Sequence, residues 1–192
     1  QQSFLRLTPI LREAVPNLLK DWSFSDDFTD LTLFFRRGMK WSDGEPCNAD
    51  SFMWWWEDHS LNEDITPVIG QWFRVGGEPM AVTKIDDYTV NLKFAAPNPS
   101  FILVNLAHRY GFWSDNLLPG HYLREFHANY NPKAQDLAEA AEYDFWYQYY
   151  GNRRDVNQNL EVPILRSHDS IDDSPERVLF TRNPYFFITD TE

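Results

Sequence analysis

An α+β fold is what this sequence predicts, and three stretches carry that expectation. Leu31-Thr32-Leu33-Phe34-Phe35 alternates with period two, which puts Leu31, Leu33 and Phe35 on one face of a strand. Met80 to Phe94 reads as a β-hairpin. In it Val82 and Ile85 precede a short Asp86-Asp87 turn, and Tyr88, Val90, Leu92 and Phe94 alternate with polar residues after it. Asn48 offers a side-chain cap to a helix over about 49–60, because its oxygen can satisfy an orphan amide of the first turn.

The remaining elements follow in order. Residues 1–30 read as an irregular lead-in with short extended pieces, Val15 to Leu19 and Trp22 to Phe24 among them, before an Asp26-Asp27 turn. Gly38 and Ser42-Asp43-Gly44 supply turn chemistry, glycine being free to take positive φ. On the capped helix, Phe52, Trp55, Trp56 and His59 share a face at i, i+3, i+4, i+7 spacing, so two of Trp54, Trp55 and Trp56 belong to a core. Pro97-Asn98-Pro99 breaks the chain ahead of an apolar helix from Ser100 to about His108. Another helix starts near Pro119 and carries His121, Tyr122 and Phe126. Asp136 to Tyr150 reads as one helix, entered through Asp136 and stopped by Gly151. Residues 152–175 read as polar loop, and Arg177-Val178-Leu179-Phe180-Thr181 as a closing strand.

Composition bounds the function. The 192 residues carry 17 basic and 29 acidic side chains, a formal net charge of −12. Nucleic-acid binding needs a basic footprint, so that class is excluded, and a basic-patch membrane-surface role is disfavoured for the same reason. A chain of this length buries about 70% of its unfolded surface, as one domain or two small ones. Aromatics make up 17% of it, with eight Trp, nine Tyr and fifteen Phe, which argues against disorder. They serve either a large aromatic core or a cleft that stacks on ligands. Cys47 is alone, so no intrachain disulfide can form. No stretch approaches the ~18 apolar residues of a membrane span. Gln1-Gln2-Ser3 opens into folded-looking sequence without a signal peptide, so an exported protein would have lost its targeting segment.

Catalytic constellations are sparse. Glu57 and Asp58 are neighbours on a helix and point about 100° apart, which suits no glycosidase pair. Asp43, near Glu45, reads as a turn residue beside Gly44. Of His59, His108, His121, His127 and His168, only His121 and His127 are close, and their i, i+6 spacing puts them on different helix faces. Gly76-Gly77 lacks the lysine and helix entry of a phosphate loop, and Cys47 has no histidine near it and reads as packing. No enzyme activity, cofactor or metal is expected. The segment Arg109-Tyr110-Gly111-Phe112-Trp113-Ser114 sets aromatics beside a glycine, so Tyr110, Phe112 and Trp113 are the candidate ligand-binding residues. Simple anchoring of a surface loop is the competing account.

The most specific run is Phe34-Phe35-Arg36-Arg37-Gly38-Met39-Lys40-Trp41-Ser42-Asp43-Gly44-Glu45-Pro46. It resembles the signature of extracellular solute-binding proteins of family 5, the peptide and nickel class that feeds ABC transporters. There the wording is close to Leu-Arg-Lys-Gly-Met-Lys-Trp-Ser-Asp-Gly-Glu-Pro-Phe-Thr-Ala-Asp-Asp-Phe. Further segments are similar in the same order: Val15 to Trp22, Lys84 to Val90 with Phe94-Ala95-Ala96-Pro97, Leu118 to His127, and Arg182-Asn183-Pro184-Tyr185-Phe186. Cys47 departs from an apolar aromatic, Ser51 from a second aspartate, and Asn48 from a threonine cap of the same chemistry. Residues 162–168 lack the glycine-containing turn expected before the last strand.

The resemblance implies part of the first lobe of a type II periplasmic binding-protein fold, a mixed sheet with flanking helices, from a much longer protein. Residues 1–192 would be one piece of the N-terminal lobe, with about 30–150 an inserted subdomain and 1–29 and 151–192 parts of the main-lobe sheet. The implied role is the non-catalytic solute-binding component of an ABC importer, periplasmic or extracellular and membrane-associated in the parent protein. Its partners would be an oligopeptide, held through backbone hydrogen bonds in a cleft between two lobes, and the permease that receives it. Oligosaccharide binding on the same fold, favoured by the tryptophan count, and a non-catalytic docking module are the alternatives. Because most of the cleft needs the second lobe, these 192 residues alone are expected to bind weakly or not at all.

Overall fold

A computed structural model describes residues 3–10, 13–107, 116–174 and 176–188. They form two compact units, Gln1–Gly38 with Cys47–Leu118 and Met39–Pro46 with Pro119–Glu192.

In the first unit, β1 (Leu5–Leu7) pairs antiparallel with β2 (Ala14–Pro16). Next come β3 (Leu19–Phe24) and β4 (Asp30–Phe35), then α1 (Ala49–Met53). β5 (Arg74–Val75) and β6 (Glu78–Pro79) make a tight hairpin closed by Gly76 and Gly77, both at positive φ. β7 (Ala81–Asp86) and β8 (Thr89–Lys93) complete a four-stranded antiparallel sheet in the order β3-β4-β8-β7. Leu31, Leu33 and Phe35 are buried while their neighbours on β4 are half-buried, as the alternation predicts. The lead-in is more regular than expected, because Phe4, Leu5, Leu18 and Leu19 are buried and their backbone pairs accordingly.

The β7–β8 hairpin differs from the sequence expectation in detail. Tyr88 belongs to the turn, where its amide donates to Asp86 Oδ1 at 2.7 Å. The turn therefore closes as an Asx-type turn with no glycine and no positive φ. Ile85 falls where the register shifts between Lys84 and Asp86, so it bulges outward and is exposed.

Asn48 caps α1 as predicted, its Oδ1 accepting from the Asp50 amide at 3.0 Å. Beyond Met53 the helix widens to i→i+5 bonding over Trp54–Ser60, with the Leu61 amide donating to Trp56 O at 3.0 Å. All three tryptophans are buried, where a regular helix face would take two. Phe52 and Trp55 lie 5.2 Å apart and Trp55 and Phe73 another 5.2 Å, while Phe4 and Phe35 each lie 6.0 Å from Phe52. The tryptophan run is core. The apolar helix after Pro99 is also wide, spanning Ile102–Leu106; His108 lies outside the described residues.

The second unit holds the 39–46 corner, α2 (Gly120–Leu123) with a tighter turn over Arg124–Phe126, α3 (Ala134–Ala140), α4 (Trp146–Arg154), β9 (His168–Ser174) and β10 (Arg177–Arg182). The single helix expected over 136–150 is two. Glu142 takes a left-handed φ of 65°, and the Tyr143 amide donates to Ala138 O at 2.9 Å, closing α3. Gln135 Oε1 then accepts from the Trp146 amide at 3.0 Å and Gln148 Oε1 from that of Phe145 at 3.3 Å, starting α4. Gly151 is inside α4 and stops nothing. The polar stretch expected as loop includes β9, which pairs antiparallel with β10. Among the described residues every ladder is antiparallel.

Candidate functional site

Tyr110, Phe112 and Trp113 lie outside the described residues, so the structure speaks only for the ends that hold this segment. Both ends are anchored in the first unit. Leu106 is buried on one side; on the other Leu117 and Leu118 are buried, and the Leu118 amide donates to Ser51 O at 3.0 Å. Asn105, also buried, donates through Nδ2 to Trp72 O at 3.1 Å. That bond holds exposed Trp72 beside the 102–106 turn, which itself exposes Leu103 and Val104. An aromatic plate with aliphatic neighbours is what one wall of a ligand cleft requires. Neither Trp72 nor Asn105 stood out in the sequence, since a lone tryptophan after Gly70 has no periodicity to mark it.

The signature corner is a structural joint. Ser42 bonds twice with Ile164: its amide donates to Ile164 O at 3.0 Å, and its hydroxyl accepts from the Ile164 amide at 3.0 Å. Ser42 also bonds the Asp169 carboxyl, which burial nonetheless holds above the usual aspartate range. Asp43 Oδ1 accepts from the Glu45 amide at 3.1 Å, the turn role expected of it, while Oδ2 sits 2.7 Å from His121 Nε2. Lys40 lies over the Tyr185 ring at 5.1 Å.

Other candidate groups are absorbed by packing. The fully buried Cys47 thiol is pushed up to about 12 by desolvation, against a smaller effect of the Ser51 hydrogen bond, so no thiolate is available near neutrality. His127 is buried among Trp146 at 4.8 Å, Tyr150 at 5.4 Å and Tyr130 at 5.5 Å, and its Nδ1 accepts from the Asn129 amide. Arg153 pairs with Glu161, donates to the Tyr122 hydroxyl and lies 4.8 Å from the Phe126 centroid. Asn159 Nδ2 donates to the same hydroxyl at 2.9 Å, so this cluster ties α2 to α4 and to residues 159–161. Among the described residues no three His, Cys, Asp or Glu side chains converge as a metal ion would need. No helix of the described residues is long and apolar enough to cross a membrane.

Residues 13–146, including the signature corner, match the family described as bacterial extracellular solute-binding proteins, family 5 Middle. The chain belongs to this family. It is 31% identical over 179 residues to a periplasmic alpha-galactoside-binding protein of Rhizobium meliloti (strain 1021). That match covers 93% of this chain and 23% of the relative. A solved oligopeptide-binding protein OppA is similar with a TM-score of 0.85 and 30% identity, over 97% of this chain and 29% of that one. The periplasmic binding protein MelB of Agrobacterium fabrum C58, solved in complex with stachyose, is similar with a TM-score of 0.72 and 28% identity, over 96% of this chain and 26% of that one. The chain thus spans about a quarter of the length of these relatives and has the fold of a lobe of a type II periplasmic binding protein, as the sequence resemblance implied.

Proposed function

We propose that this chain is part of the solute-binding component of an ABC importer, which takes up an oligopeptide outside the cytoplasm and presents it to a membrane permease. The observation that carries this reading is the similarity to an oligopeptide-binding protein OppA, at a TM-score of 0.85 over 97% of the chain. Here the chain is a piece of the first lobe, with about 30–150 as an inserted subdomain and 1–29 and 151–192 in the main-lobe sheet; the β3–β4 hairpin runs across residue 30. The exposed wall around Trp72, together with the sequence candidates Tyr110, Phe112 and Trp113, is the part of the cleft this chain supplies. The role is carriage without chemistry, supported by the protonated Cys47 thiol and the turn-bound Asp43 carboxylate. Membrane association belongs to the longer protein and its permease.

A second reading has its own support. Two of the similar proteins are named for sugars, one as an alpha-galactoside-binding protein and one in complex with stachyose. An oligosaccharide ligand would use exposed tryptophan as a stacking plate. Native mass spectrometry of the longer protein, followed by denaturing release, separates the two. A ladder of short peptides supports the oligopeptide reading. A single oligosaccharide mass replaces it with the sugar reading, and a preparation that takes up neither class on titration sinks both.

A further inference from the structure

Asp43-Gly44 is the single Asp-Gly pair of these 192 residues, and no Asn-Gly pair occurs. This dipeptide carries a chemistry that solute binding does not use. The Gly44 backbone nitrogen can attack Asp43 Cγ. An N–C bond then forms, and the amide hydrogen leaves with one oxygen of the protonated carboxyl as water. Water adds back to either carbonyl of the resulting succinimide ring. Opening at the main-chain carbonyl routes the backbone through Cβ and Cγ, which makes residue 43 an isoaspartate. Water is the only co-reactant, released in the first step and taken back in the second. Glycine has no Cβ to obstruct the ring closure. The Asp43 side chain is 37% exposed, so water reaches it.

In the fold each participant is held. The Gly44 amide hydrogen, which the attack must release, is bonded to Trp41 O at 3.0 Å. Asp43 Oδ1 accepts from the Glu45 amide at 3.1 Å, and Oδ2 lies 2.7 Å from His121 Nε2 on α2. Neither oxygen can leave without breaking a bond, and a carboxyl fixed at both oxygens cannot turn to set Cγ against the nitrogen. Ring closure depends steeply on that alignment. The Glu45 bond lies within the turn, whereas the His121 bond spans 78 positions and exists only once this unit has folded. We propose that Asp43-Gly44 is an isomerisation site that the fold keeps closed, with His121 as the residue that positions the carboxylate away from attack. The product fits the corner badly. Isoaspartate adds a methylene to the backbone beside Gly44, where an added Cβ would already lie 3.2 Å from the Tyr185 ring. Isomerisation therefore strains the same corner that Ser42 bonds to Ile164.

The test incubates the full chain at neutral pH, native and in urea, and follows isoaspartate at position 43 over time. Because the isomers share a mass, peptide mapping with electron-transfer fragmentation tells them apart. The native chain is expected to accumulate isoaspartate about 10-fold or more slowly than the chain in urea. His121→Ala should speed the native rate by about 3-fold or more, the scale of one lost hydrogen bond. His121→Gln, which keeps a side-chain N–H donor, should bring the rate back towards that of the unmodified chain. A native rate equal to the rate in urea overturns the proposal. So does a His121→Ala rate no faster than that of the unmodified chain, or a His121→Gln rate as fast as that of His121→Ala. If His121→Ala does not fold, His121→Leu, which keeps bulk and lacks the donor, takes its place under the same criteria. None of these readouts depends on which ligand class the protein carries.

Discussion

At Gly44 two demands meet in one residue. Its φ is 93°, and an added Cβ would lie 3.2 Å from atoms of the Tyr185 ring. Only glycine meets both, which accounts for a glycine at this point of the signature. Gly44→Ala is expected to lose about 1–3 kcal/mol of stability, read from the urea midpoint of the chain; an unmoved midpoint would refute the strain. Asp27 offers a charge-based test. The Ser25 hydroxyl donates to its carboxylate at 2.6 Å, and the Thr29 amide and hydroxyl donate at 3.1 and 2.9 Å. The Ser25 bond foremost, with those from Thr29, lowers its pKa from 3.8 to about 2. A depressed folded-state pKa stabilises the fold above the unfolded value, and the contribution is lost as pH falls through the folded one. The stability gap between the unmodified chain and Asp27→Asn should therefore narrow as pH falls from 3.8 towards about 2. Thermal melts across that window check it, and a constant gap would show that Asp27 is not coupled to folding.

Element boundaries show what the sequence made legible and what it hid. The Asn48 cap was visible because its chemistry is local: one side-chain oxygen meets one amide at 3.0 Å. Asn48→Ala should cost about 1 kcal/mol, measured by chemical denaturation. Leu31, Leu33 and Phe35 were legible for a similar reason, since alternation alone separates a buried from a wetter face. The break between α3 and α4 was not, because a glutamate rather than a glycine takes the left-handed position at residue 142. Glu142→Gly is thus expected to add about 0.5–1 kcal/mol by relieving that conformation, less what glycine's freer unfolded chain takes back. A lower melting temperature for this variant would mean that the glutamate makes contacts outweighing its backbone. β9 was hidden because His168-Asp169-Ser170-Ile171-Asp172 is poor in strand-forming residues; its partner β10 imposes the extended form. The widened helix over Trp54–Ser60 has no sequence mark beyond the tryptophans it buries.

For the molecule as a whole, the family was legible in the sequence and the ligand was not. The corner from Met39 to Pro46 has fixed spacing because it must turn and be held at once, and such demands leave a pattern. The wall proposed at Trp72 beside Asn105 arises from chain segments brought together by folding, which no spacing announces. If, as proposed, the chain is a piece of a longer solute-binding protein, ligand-linked stabilisation is expected in that protein and not in these 192 residues, which span about a quarter of their relatives' length. A ligand at 100 times its Kd should raise the stability of the longer protein by about 2.7 kcal/mol, seen as a higher melting temperature. An equal rise in the 192-residue chain would show that it holds a complete site.

The clasp between Ser42 and Ile164 also sets a timetable for the ribosome. The two residues are 122 positions apart, so at about 5–20 residues per second Ser42 is made about 6–24 s before its partner. During that interval the 39–46 corner has its own turn bonds to rely on, the Trp41 amide to Glu45 O and the Gly44 amide to Trp41 O, without either bond to Ile164. A premature stop anywhere before Ile164 would leave the corner without both of those bonds.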